Sequence, residues 1–131
     1  MARVTIDTRP IRDLKGDKVL SASNYESLLE ARERKPNVPV TLKHTADFVF
    51  VRYIGHPEME VNHPFLEEWA VYLSEQIKAG SDVFMFCHSP DNLIAPSICR
   101  ELYSRVRTQT DLAPLPWDLI RQAKPGQLSL F

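Results

Sequence analysis

The sequence predicts an α/β fold built on three parallel strands with flanking helices. Three observations carry this. Short β-rich runs alternate with longer segments of helical period, in the order strand, helix, strand, helix, strand, helix. Each run is followed by turn residues, as with Gly55-His56-Pro57 after the second. Each strand is followed by a helical segment, and helical crossovers between neighbouring parallel strands should be right-handed.

The first strand is predicted over Arg3-Val4-Thr5-Ile6-Asp7, which alternates and is β-branched. Pro10 cannot continue a central strand, so residues 11–22 read as a loop at the mouth of the sheet. Ser23 to Glu26 has the form of a capping box opening a helix, with Tyr25, Leu28 and Leu29 as its apolar face. Glu30 to Arg34 form the wet face, and Pro36 and Pro39 end the helix. Phe48 to Ile54 is the second strand. A second helix is expected from His63 or Pro64 to Ala79, because proline suits a first turn and Gly80 suits a helix end. Its stripe of Phe65, Leu66, Trp69, Tyr72, Leu73 and Ile77 reads as core. Asp82 to Cys87 is the third strand, followed by the loop His88 to Asn92. Pro96 opens the last helix, whose face is Ile98 or Cys99, Leu102, Tyr103 and Val106. From Thr108 the chain is irregular apart from one turn near Trp117.

At 131 residues there is room for one modest domain. A net charge of -1 gives no overall positive field to draw the chain to nucleic acid or an anionic membrane. The arginines at 100, 105 and 107 and the cluster Arg32, Arg34, Lys35 are interrupted by Glu30, Glu33 and Glu101. They read as solvated helix faces, so no direct nucleic-acid binding is expected. No apolar run reaches the ~20 residues that span a bilayer, and no signal-peptide core opens the chain. Cys87 and Cys99 read as reduced, buried thiols. The expected location is the cytoplasm. Three strands make a thin sheet with one open face. The chain is therefore expected to be a piece of something larger or to associate with another copy.

Strand parity picks out three polar residues. If Val49 and Val51, Val83 and Met85, and Val4 and Ile6 lie beneath the helices, then Asp7, Arg52 and His88 lie on the opposite face. All three sit near C-terminal strand ends, where α/β sheets bind ligands. Two readings fit. Arg52 clamps a phosphate or carboxylate, His88 transfers protons or ligates a metal, and Asp7 orients the histidine or holds a metal. Alternatively, Asp7 and Arg52 form a structural ion pair and His88 caps the next helix. His56, His63, His88 and Asp91 match no compact metal-ligand spacing, so no metal ligands are assigned and no cofactor is named.

The segment Phe48-Val49-Phe50-Val51-Arg52 through Gly55 resembles the domain of unknown function 72 family, also called YecE-like. So do the Trp69-Ala70 helix, Asp82-Val83-Phe84-Met85-Phe86 and Ala95-Pro96. The resemblance runs from about Val4 to Val106 and has no settled activity attached. It implies a TIM-like (β/α)8 barrel of which this chain supplies the C-terminal portion, roughly the sixth to eighth strands. Residues 1–107 would be three βα units of that barrel, 108–126 an irregular proline-containing segment and 127–131 a separate motif. A missing N-terminal half would then be a partner. Two departures stand out. Many members read Arg-x-His-Gly where this chain has Arg52-Tyr53-Ile54-Gly55, and a pair of asparagines where it has His88 and Ser89.

The last five residues, Gln127, Leu128, Ser129, Leu130 and Phe131, are similar to the pentapeptide that docks on bacterial sliding clamps. Gln127 can hydrogen-bond through both ends of its amide, and the three apolar side chains can fill pockets on a partner. The competing expectation is that Leu128 and Leu130 alternate along the chain's own domain. Three functions remain open: an interaction protein of DNA replication or repair, a barrel hydrolase for an anionic phosphoester that is incomplete in this chain, and an inactive remnant.

Overall fold

The computed structural model describes residues 4–17, 20–40, 42 and 47–116. Among them, three strands form one parallel sheet in the order β1 (Val4–Asp7), β2 (Phe48–Ile54), β3 (Asp82–His88). Three helices accompany it: α1 (Ala22–Arg34), α2 (Met59–Lys78) and α3 (Ala95–Arg107). A short 3-10 helix, Pro10–Arg12, occupies part of the expected loop. The expected turn near Trp117 and the C-terminal pentapeptide lie outside the described residues.

The core is one layer of two helices on one face of the sheet. Val49, Val51 and Tyr53 of β2 pack against Leu66, Trp69, Ala70 and Leu73 of α2 and against Ile98, Leu102 and Val106 of α3. The helical stripe read from the sequence is thus core. Both cysteines are free but only half-buried, because β3 is an edge strand that the helices cover incompletely.

The helix α1 departs from the simple alternation. Leu28 and Ala31 pack with Ile11 and Ile54 in a second, smaller cluster. Ile54 pairs with His88 and lies two residues beyond Arg52, so α1 sits at the C-terminal end of the sheet and outside the helix layer. The helix begins earlier than the capping-box reading placed it. Ser21 is the N-cap, accepting from the backbone N–H of Asn24 at 3.3 Å. Tyr25 and Leu29 stay 40% exposed, because Ala31 and Leu28 make the buried contact.

The helix α2 starts more than a turn before Pro64, which lies inside it. Tertiary bonds outweigh the proline signal here. The buried Asn62 side chain donates to the carbonyls of His56 (2.9 Å) and Glu58 (3.3 Å). Its Oδ1 accepts from the Tyr53 hydroxyl (2.8 Å) and the His56 backbone N–H (2.9 Å). The first turn is held to the end of β2 by this one amide. No helix among the described residues is long and apolar enough to cross a membrane.

Candidate anion site at the C-terminal rim

Partners in a parallel ladder point their side chains to the same face. Ile6, Arg52 and Phe86 are one such row, Ile54 and His88 the next. Arg52 and His88 therefore share the face that α2 and α3 leave uncovered. Asp7 does not join them. It pairs with Tyr53 and lies on the helix-covered face, fully buried. The parity read from the sequence is reversed in this four-residue strand, and Val4, taken as core, is 49% exposed.

The reason Asp7 can be buried is that its oxygens are saturated. Oδ1 accepts from the Arg9 backbone N–H and Nε, both at 3.0 Å, and Oδ2 from Arg9 Nη2 at 2.9 Å and Trp69 Nε1 at 2.7 Å. Arg9 also pairs with Glu68 and lies 5.2 Å over the Phe65 ring. Hydrogen bonding to Asp7 first, against the cost of burial, raises the Arg9 guanidinium above its ordinary range. This cluster ties β1 to α2. Asp7 is a structural acceptor with no capacity left to orient His88, and it forms no ion pair with Arg52.

On the uncovered face the rim is cationic. Burial first, then the charges of Arg52 and Lys35, hold the His88 imidazole below its ordinary range. Lys35 is placed there by the C-terminus of α1. Arg12 Nη2 donates to the carbonyls of Lys35 at 2.8 Å and Arg32 at 3.3 Å, satisfying groups a helix end leaves open. Arg32 in turn bonds the Ile11 carbonyl and pairs with Asp17 at 3.0 Å. A cleft of about 180 Å³ lies between this helix end and the loop after β3, lined by Arg34, Lys35, Ile54, His88, Ser89 and Asn92 among others. Asn92 takes the left-handed backbone (φ 61°), which asparagine tolerates better than most residues. Its N–H donates to the Ser89 carbonyl at 3.0 Å, and Asp91 Oδ1 accepts from the Leu93 N–H at 3.1 Å. Glu30 is the acid on the cleft wall, 4.0 Å from the exposed Arg34.

Arg52, His88 and Lys35 thus converge from a strand interior, a strand end and a helix cap. None of the ion pairs among the described residues uses Arg52 or Lys35. A planar guanidinium fork, a compact ammonium and an imidazole suit a small anion. Sequence reasoning placed Arg52 and His88 and missed Lys35, whose only signal was a basic cluster that also fits a wet helix face.

The remaining histidine of the rim is structural. His56 is fully buried. Its Nδ1 accepts from the Glu58 N–H at 2.9 Å and its Nε2 faces Asp17 Oδ1 at 3.2 Å. Arg32 and His56 together, against the cost of burial, lower Asp17 below the usual carboxylate range. Among the described residues, no three histidine, cysteine or acidic side chains gather as metal ligands.

Comparison with known proteins assigns the family. The profile of the protein of unknown function family DUF72 matches residues 1–119. The chain belongs to the DUF72 family. Two relatives of this DUF72 chain are the UPF0759 proteins YecE of Escherichia coli strain K12 and of Escherichia coli O157:H7. Each is 28% identical to it over 130 residues, covering 98% of this chain and 43% of the relative. The DUF72 chain therefore spans less than half the length of these curated relatives. No solved structure matches it.

Proposed function

We propose that this DUF72 chain binds a small anion of the phosphoester class at the C-terminal rim of its sheet. The observation that carries the reading is the cleft lined by Lys35 and His88, with Arg52 on the same sheet face one row below His88, where burial first and then these two cations disfavour a charged imidazole. An anion there relieves that repulsion. Arg52 is the clamp, Lys35 a second charge, and His88 a group able to take up a proton as the anion arrives. Asp7 has no part in it. If hydrolysis occurs, further groups come from polypeptide outside these residues.

The same reading accounts for the uncovered face. Val4, Phe84 and Phe86 are each about half exposed on it. We take this face as the interior of a (β/α)8 barrel closed by polypeptide of the kind that the longer relatives carry, with Arg52, its row partner Phe86, and His88 at the open mouth. Titration of the chain with inorganic phosphate by calorimetry tests the site. Saturable binding that weakens with salt and is lost in Arg52→Ala supports it, and no binding at low ionic strength rejects it.

A second reading rests on the tail. Gln127 to Phe131 matches the clamp-docking pentapeptide at every position, after the spacer Pro125-Gly126. We propose that it docks the protein on a bacterial sliding clamp in the cytoplasm, near replicating or repaired DNA. Binding of the purified clamp to the chain, lost on deleting residues 127–131, is the expected result. Equal binding by the deleted chain, or none by either, removes this reading. Failure of both the phosphate and the clamp measurements would leave an inactive remnant.

A further inference from the structure

The cationic rim does not stand alone on its face. Arg52 shares its row with Phe86, and His88 lies two residues further along the same strand as Phe86. At the rise of a β-strand that separation is about 6.6 Å, with both side chains on one side. Phe86 is 48% exposed. Behind it, the Phe50 ring is stacked at 5.0 Å between centroids and 25° between planes. Phe50 is itself stacked on Phe84, at 6.4 Å and 27°. The outcome is a backed aromatic surface with one free side, beginning where the cluster of Lys35, His88 and Arg52 ends.

From this we infer that the rim takes an anion carrying a planar aromatic ring, of the nucleoside monophosphate class. Its phosphate sits among Lys35, His88 and Arg52, and its base lies on Phe86. The inference rests on the anion-site reading and adds the chemistry of the ligand's other end. The backbone spacing of about 6.6 Å between Phe86 and His88 is of the order of the reach from phosphate to base in a mononucleotide. Stacking on an aromatic side chain is tolerant of base identity, because every base offers a π-face. The selectivity expected from stacking alone is for a ring over no ring.

Three probes separate the parts: inorganic phosphate, ribose 5-phosphate and adenosine 5′-monophosphate, each titrated calorimetrically into the 131-residue chain. Adenosine 5′-monophosphate is expected to bind about tenfold or more tightly than ribose 5-phosphate, the gain that one stacked base supplies. Phe86→Leu should close that gap. Because the substitution also thins an aromatic cluster, a second readout is taken on the unaltered chain. In proton NMR, the Phe86 ring resonances should move with adenosine 5′-monophosphate and stay in place with ribose 5-phosphate. Equal affinity for the two organic phosphates, or a gap that survives in Phe86→Leu, overturns the aromatic subsite and leaves the anion site standing. Binding of none of the three overturns both.

Discussion

Replacing Asp7 by alanine and Arg52 by alanine should have opposite effects, although both are polar residues near strand ends. Asp7 is fully buried and accepts four hydrogen bonds. Its loss leaves the Trp69 indole N–H, in a side chain 1% exposed, without its acceptor. An unsatisfied buried donor of this kind costs about 1–3 kcal/mol. The ion pair with Arg9 adds less, since Arg9 is 34% exposed and keeps Glu68 as a partner. The sum is about 3 kcal/mol, or a melting temperature lower by roughly 10–15 °C for a domain of this size. Arg52 is half-buried on the uncovered face and enters none of the described ion pairs. Its removal should cost no more than about 0.5 kcal/mol of stability. Losing a charge-assisted bond to a bound anion should weaken phosphate binding roughly tenfold to a hundredfold. Thermal melts by circular dichroism and phosphate titrations of both variants form the assay. The assignment of Asp7 to structure is refuted if Asp7→Ala melts within about 2 °C of the parent while losing phosphate. The assignment of Arg52 to the site is refuted if Arg52→Ala unfolds early and still binds.

Four further outcomes are expected. His88 is held below its ordinary range, so the unfolded state binds its proton more readily. The stability it contributes is full above the unfolded value and is lost as pH falls through the folded one. The melting temperature should fall accordingly on acidification. Sulfate, whose own charge is constant here, should bind more tightly as the solution is acidified through the lowered titration range of His88, which then charges between Arg52 and Lys35. The dependence should flatten in His88→Asn, and a flat profile in the parent would argue that His88 does not meet the anion. Asn62→Ala removes the acceptor of both the Tyr53 hydroxyl and the His56 N–H, and should cost about 2–4 kcal/mol. Faster amide exchange over residues 59–63 would locate the loss at the first turn of α2, and unchanged exchange would contradict its role. In Gly55→Ala the new Cβ would stand 2.5 Å from the Ile98 Cδ1 and 3.2 Å from the His88 carbonyl oxygen. The methyl can rotate away. The carbonyl is held by the Gly55 N–H at 2.7 Å, so a loss of about 1–3 kcal/mol is expected in a denaturant melt.

The apolar periodicities determined the element order, the parallel sheet and the helical core stripe, because burial at period 2 or 3.6 is written directly into the residue order. Leu66, Trp69 and Leu73 are buried where that period puts them. The shared face of Arg52 and His88 was legible for the same reason, since both belong to seven-residue strands whose alternation is unambiguous. Asp7 was misplaced because Val4-Thr5-Ile6-Asp7 alternates in the opposite sense to its packing, with Val4 and Ile6 on the uncovered face, and register against Tyr53 settles this only in three dimensions. The start of α2 was hidden because Pro64 is a strong local signal, whereas Asn62 acts through partners six and nine residues away and within its own first turn. Lys35 could not be assigned from sequence at all. Its position depends on Arg12 binding the end of α1 and on Leu28 and Ala31 docking against Ile54. Local periodicity fixes which side of an element is apolar. Which charges meet across a cleft depends on contacts between elements, and those exist only once the chain has folded.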